Sequence, residues 1–220
     1  MKTFRLLAAA AALAALTAPA AAQDFEGLYG FVYGGINFDT SIDADGTASG
    51  TTSSLDLEFD NGFTFGLGVG SQITPNYRVE VELLFADQDT DALSFSGSGP
   101  AADVTGDLTT MAAFANGFYD FANDTRFTPY LGAGIGVARV EQDVFFGTAG
   151  GRLNDQDTVF GAQLIAGVSY EVTERVSLTG DVRYRRLFDV DSDTIEGTNM
   201  GAFSGDLETV AVNIGVRISF

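Results

Sequence analysis

"VAVNIGVRISF", residues 210–220, decides the fold. Val210, Val212, Ile214, Val216, Ile218 and Phe220 alternate with Ala211, Asn213, Gly215, Arg217 and Ser219. A period of two is the signature of a β-strand, whose successive side chains point to opposite faces. One face of this strand is wholly apolar. The other is small, polar or charged. Which face meets the surroundings is settled by the rest of the chain.

The pattern recurs. In "FTFGLGVGS" Phe63, Phe65, Leu67 and Val69 oppose Thr64, Gly66, Gly68 and Gly70. In "RVEVELLFA" Val79, Val81, Leu83 and Phe85 oppose Arg78, Glu80 and Glu82. "VFGAQLIAGVSY" sets Phe160, Ala162, Leu164, Ala166, Val168 and Tyr170 against Gly161, Gln163, Gly167 and Ser169. "VSLTGDVRYRR" sets Val176, Leu178, Val182 and Tyr184 against Ser177, Thr179, Asp181, Arg183 and Arg185. Segments 28–38, 108–121 and 130–140 read as strands with a less clean alternation, and the facing of 28–38 and 108–121 is the least determined. The total is eight strands of about ten residues.

The connections alternate in length. Three are short: 74–76, 122–128 and 173–175. Four are long and rich in Asp, Gly, Ser and Thr: 39–60, 87–107, 141–157 and 187–206. Both ends of the strand array fall on the short-turn side. Eight tilted strands with short turns on one side and long loops on the other are the plan of a transmembrane β-barrel. The competing reading is a soluble β-sandwich or barrel. Aromatics favour the membrane: Phe63, Phe85, Phe160 and Tyr184 fall at the long-loop end, and Phe121, Tyr130, Tyr170 and Phe220 at the other. Two aromatic belts fit two bilayer interfaces. The small residues of the opposite faces suit a narrow interior. The fold class is therefore all-β: an eight-stranded antiparallel up-and-down transmembrane barrel.

Residues 1–22 read as a cleaved signal peptide, with Lys2 and Arg5, an apolar run over 6–16, and small residues up to Ala22. The run is shorter than the roughly 20 residues a spanning helix needs. The barrel domain is 23–220. It holds nine arginines and no lysine against 30 acidic residues, which argues against nucleic acid as a partner. The chain has no Cys and no His, which excludes disulfides, thiolate chemistry and the histidine-based triads. No enzyme activity and no cofactor is expected.

The whole of 23–220 resembles the eight-stranded OmpA-like and opacity-type outer-membrane barrels, often labelled the porin family. The residues that carry the likeness are "NGFYDF" (116–121), "FTPYLGAGIGVA" (127–138), "GAQLIAGVSYEVTERVSL" (161–178) and the terminal "VRISF". The resemblance implies a Gram-negative outer membrane, periplasmic termini, and a final strand whose Val216, Ile218 and Phe220 are read by the barrel-assembly machinery. OmpA itself carries a periplasmic peptidoglycan-binding domain; that activity is not carried over. Lipid A deacylases of this size rest on histidine, absent here.

Two candidate sites follow. An eight-stranded barrel is only wide enough for its own side chains. The inward set includes Glu80, Glu82, Asp181, Arg183, Arg185 and Arg217, with Asn116, Gln163 and Asn213. Charges so confined must pair, so Glu80 and Glu82 are expected to meet Arg217 and one of Arg183 or Arg185. Such a network is either a structural plug or, as the family resemblance would allow, a gate for small ions. The second site is in the acidic loops, with Asp39, Asp43, Asp45, Asp56, Glu58 and Asp60 in the first. Asp87, Asp89, Asp91, Asp103 and Asp107 lie in the second loop, and Asp189, Asp191, Asp193, Glu196 and Asp206 in the fourth. "DVDSDTIEG" (189–197) lacks the Gly and the final acid of an EF-hand loop. Asp189, Asp191 and Asp193 remain weak divalent-ion ligands that could bridge to anionic lipopolysaccharide headgroups, with Arg186 at the rim. The expected function is a monomeric envelope scaffold displaying acidic loops to an unknown surface partner; the alternative is a small passive pore.

Overall fold

The computed structural model describes residues 27–48, 51–59, 61–90, 104–146, 151–192 and 203–220. The expected signal peptide lies outside them, as do Asp60, Asp91, Asp103, Asp193 and Glu196. The strands are β1 (Leu28–Ala48), β2 (Thr51–Phe59), β3 (Gly62–Thr74), β4 (Tyr77–Thr90) and β5 (Val104–Asp120), then β6 (Phe127–Phe146), β7 (Gly151–Thr173), β8 (Val176–Ser192) and β9 (Phe203–Ser219). Every pairing is antiparallel; β1 takes both β2 and β3, the strands from β3 to β9 pair in sequence order, and β9 returns to β1 from Tyr29↔Ser219 to Gly46↔Phe203. The barrel is thus closed, with no free edge at the seam. β2 and β3 are one stave of the barrel in two pieces. β3 pairs with β1 over Leu28–Asn37 and β2 with β1 over Thr40–Ala48. The staves number eight.

The outward faces explain the medium. On β6 they run Phe127, Pro129, Leu131, Ala133, Ile135 and Val137, and then turn to Arg139 and Glu141. Ile135 is 73% exposed. The apolar stretch on β6 matches the roughly 9–11 residues a tilted strand needs to cross a bilayer. On β9 the same band runs from Val210 to Phe220, with Ile214 76% exposed. At the short-turn end Tyr77, Tyr119 and Phe121 meet edge-on, with ring centroids 5.2 and 5.0 Å apart, and Phe127 lies 4.7 Å from Tyr170. At the other end Phe63 lies 6.1 Å from Phe85. Tyr130, expected in the belt, is instead buried inside the barrel. It pairs with Asp120, an inward residue, and the "TPY" run places Pro129 outward in its stead.

Two of the three short turns share one device. Thr74 Oγ1 accepts from the N–H groups of Asn76 and Tyr77, and Thr173 Oγ1 accepts from those of Arg175 and Val176. A threonine hydroxyl thereby pairs amides that the ladder leaves free.

The expected long loops are largely strand. β1 continues to Ala48, β6 to Phe146, and β7 begins at Gly151. The physical reason is a reversal of polarity. Beyond Val137 on β6 the outward residues are Arg139 and Glu141, while Ala138 and Val140 point inward and are buried. On β9 Glu208 faces out and Leu207 in; on β8 Arg186 faces out and Leu187 in. Polar composition in these segments suggests loop, but their alternation is that of a water-exposed sheet over an apolar core. That core gathers Leu84, Ala86, Leu108, Phe114, Val159, Val190 and their neighbours.

Candidate functional site in the barrel lumen

Below the apolar core the inward face is polar, and its first layer is built on glycine. In β3 the run Gly66, Gly68, Gly70 faces Tyr33, Phe31 and Tyr29 of β1 in register. A Cβ on Gly66 would collide with the Tyr33 ring. In β6 Gly132 and Gly136 likewise face Phe118 and Phe114 of β5, and a Cβ on Gly132 would enter the Phe118 ring. Each large ring lies flat over a glycine of the next strand, which covers exposed backbone and leaves the bore open to further side chains.

Arginines stack on those rings. The guanidinium of Arg183 lies 3.9 Å from the Tyr33 centroid, and that of Arg78 lies 3.7 Å from Phe118 and 4.7 Å from Tyr130. Such stacking favours Arg over Lys, because the planar group offers its face to the ring and its edge to carboxylates. Arg183 uses that edge fully. Its Nε and Nη2 donate to Asp181 Oδ1 and Oδ2 at 2.9 and 3.2 Å, and its Nη1 donates to Glu82 Oε2 at 2.8 Å.

Glu82 is the centre of the cross-section. It is fully buried. Oε1 accepts from the Tyr33 hydroxyl at 2.5 Å. Oε2 accepts from Asn116 Nδ2 at 2.7 Å, Gln163 Nε2 at 3.3 Å and Arg183. These partners come from β1, β5, β7 and β8, so five staves meet at one carboxylate. Asp181 is completed by Asn213 Nδ2 at 2.9 Å and the Tyr130 hydroxyl at 3.1 Å. Donors from several strands thus take up the hydrogen-bonding capacity of two buried carboxylates.

A second cluster lies nearer the short turns. Arg78 Nε donates to Asp120 Oδ1 at 2.9 Å and Nη1 to Glu80 Oε1. Glu80 also accepts from the Tyr29 hydroxyl at 2.9 Å. Asp120 is held by Gln72 Nε2 at 3.1 Å. A void of about 20 Å³, room for one water, lies between the two clusters.

A scan of family models matches residues 8–220 to the outer membrane protein β-barrel domain. The chain belongs to that family. Its setting is the bacterial outer membrane. It is 28% identical to the outer membrane protein PagN of Salmonella typhimurium over 126 residues, 54% of this chain and 50% of that one. A Rickettsia conorii protein named as a candidate adhesin is 27% identical over 128 residues, 54% of this chain and 51% of its own. The chain thus spans about half the length of these curated relatives. Neisserial surface protein A shares the fold, with a TM-score of 0.52 at 21% identity over 89% of this chain and all of that one.

Of the residues the sequence singles out in the lumen of this family member, Glu82, Asp181 and Arg183 meet directly. Glu80 does not pair with Arg217; it takes Arg78, two residues away on its own strand. Arg217 makes no ion pair among the described residues and lies 5.0 Å from the Tyr29 ring. Arg185 is buried, its Nε and Nη2 have no hydrogen-bond partner among the described residues, and the Phe114 ring centroid lies 5.7 Å from its guanidinium carbon. Sequence reasoning placed Arg78 on the inward face but omitted it from the network, and missed Asp120, Tyr29, Tyr33 and Tyr130. The signal for the tyrosines was the facing glycine runs. Asp120 ends "NGFYD" in the polar phase of the Asn116 face.

At the rim, Arg186 pairs with Asp206 Oδ2 at 2.5 Å and with Glu208 at 3.0 Å. Asp189 has a left-handed φ of 50°, tolerated by Asp, and its N–H donates to Asp206 Oδ1 at 2.9 Å. That amide, together with the Arg186 guanidinium, holds Asp206 below its ordinary range. The side chains of Asp191 and Asp193 lie outside the described residues. Val216 and Ile218 lie on the outward face of β9, Phe220 directly follows its last residue, and the Phe220 N–H donates to Leu28 O at 3.0 Å.

Proposed function

We propose that this protein is a non-enzymatic scaffold of the outer membrane, with periplasmic termini and with its long, acidic hairpins standing at the cell surface as an interaction platform. The observation that carries this reading is the filled cross-section at Glu82, where side chains from five staves converge on one buried carboxylate. A lumen spent on mutual pairing has no path for solutes. The absence of His and Cys from the chain leaves no ordinary base or thiol for catalysis. The likeness to a candidate adhesin supports surface interaction as the use of the hairpins. On this reading the chain is monomeric and binds no nucleic acid. Arg186 and its acids meet lipopolysaccharide headgroups at the rim, and Val216, Ile218 and Phe220 serve as the assembly signal.

One observation favours the pore as a second reading. Arg185 sits one inward step from Arg183 without a carboxylate of its own, so Glu82 has somewhere else to go. Conductance of the refolded chain in a planar bilayer separates the two. The scaffold stays silent across a wide voltage range, whereas discrete openings that vanish in Arg185→Met would establish the pore.

A further inference from the structure

The lumen is closed by apolar side chains at the long-hairpin end but opens at the short-turn end into a cavity of about 290 Å³. Its floor is Arg217 and its rim is Arg126, on the turn between β5 and β6. Neither arginine has an ion-pair partner among the described residues. Asp120 also borders the cavity, but Arg78 already occupies it. Glu171 is then the one carboxylate of the lining without a cation. The lining adds the hydroxyls of Ser169 and Ser177. Ser169 is only 7% exposed and lines the cavity wall.

We propose that this vestibule binds a small oxyanion, with phosphate or carboxylate oxygens on the Arg217 guanidinium. A guanidinium offers five N–H donors in a planar fork that matches such oxygens two at a time. Those of Arg217 are unspent, and its stacking on Tyr29 fixes the plane. Arg126 supplies a second positive charge and Ser169 a hydroxyl on the wall. In a chain of net charge −19, two unpaired arginines on one cavity make a local field opposite to that of the molecule, which draws anions to this mouth. Glu171 restrains the affinity and sets a preference for small anions that keep clear of it.

The test is calorimetric titration of the refolded full chain in phosphatidylcholine nanodiscs with inorganic phosphate. Saturable one-to-one binding is expected. Arg217→Gln should weaken it at least tenfold, Arg126→Gln several-fold, and Glu171→Gln should tighten it. A heat-dependent gel shift confirms that each variant is folded, and Arg126, at an exposed turn, keeps the test sound should Arg217→Gln fold poorly. Discs containing phosphatidylglycerol distinguish a lipid headgroup from free phosphate as the occupant: the headgroup lowers apparent phosphate affinity about tenfold, and a soluble ligand leaves it unchanged. Absence of saturable heat, or equal binding by wild type and Arg217→Gln, overturns the proposal.

Discussion

The same eight staves build two barrels of opposite polarity. From the short turns to the level of Glu82 and Arg183 the outside is apolar and the inside holds ions. Above that level the inside is Leu84, Leu108, Val140, Val159, Leu187 and Leu207, and the outside, past Phe85, Val137 and Phe160, turns to Arg139, Glu141 and Glu208. The change takes one inward step on a strand, from Glu82 to Leu84 on β4 and from Arg185 to Leu187 on β8. Each half follows the medium around it. In lipid there is no gain from burying apolar groups, so they face out and the narrow bore is stabilised by pairing. In water the hydrophobic effect returns and the sheet turns its apolar side inward.

The comparison is broken most severely in the polar half. Arg183→Met strands Glu82 and Asp181 without their shared cation, and the expected loss is about 3–5 kcal/mol. Equilibrium urea unfolding in lipid vesicles measures it; a midpoint within error of wild type would refute the network as a source of stability. Outside the barrel, Ile214→Arg at mid-band should cost about 2–4 kcal/mol. Glu141→Gln, two steps beyond the band on β6, should stay within about 0.5 kcal/mol. Equal effects would mean that the band edge at Arg139 is misplaced.

How much of this was legible depends on what alternation can carry. The lipid-facing band from Val210 to Phe220 could be read directly, because nothing else in a sequence imitates a strict period of two over eleven residues. The charged inward set could be read from the opposite phase. Pairing could not: Glu80 takes Arg78 on its own strand, and Arg217 is left to Tyr29. Partner choice depends on stave register and on which ring lies over which glycine. Tyr130 was misread because an aromatic near a turn fits a belt equally well from either face. The hairpin extensions were misread because Asp-rich segments resemble loops until the inward phase, such as Leu207 between Asp206 and Glu208, is weighed separately.

Arg185 sharpens the comparison from the boundary between the halves. It is buried like Arg183 but has neither the bidentate acid nor a free neighbour. Replacing an unpartnered buried charge by an apolar side chain of similar volume is neutral or stabilising, by up to about 1–4 kcal/mol. Arg185→Met should raise the urea midpoint while Arg183→Met lowers it. If both lowered it equally, Arg185 would have to be held by a partner as strong as Asp181.

The smallest effect is at the rim. Asp206 sits beyond the band, and the Asp189 amide and Arg186 hold its carboxyl below the ordinary value of 3.8. A depressed folded-state pKa means that its contribution is full above that ordinary value and is lost as pH falls through the folded one. Being largely solvated, it contributes little. Asp206→Asn should slightly flatten the acid limb of a stability–pH curve and leave the neutral region unchanged; an unaltered acid limb would remove Asp206 from the account.

The reversal of polarity itself is tested most directly by thiol accessibility. The chain contains no cysteine, so single cysteines can be placed along β6 at Ile135, Val137, Arg139, Val140 and Glu141 in protein reconstituted into vesicles. A membrane-impermeant maleimide should spare Ile135→Cys and Val137→Cys in lipid. It should label Arg139→Cys and Glu141→Cys quickly, and spare Val140→Cys between them. Val140→Cys labelling as fast as its neighbours would contradict an apolar interior above the membrane, and with it the reversal of polarity.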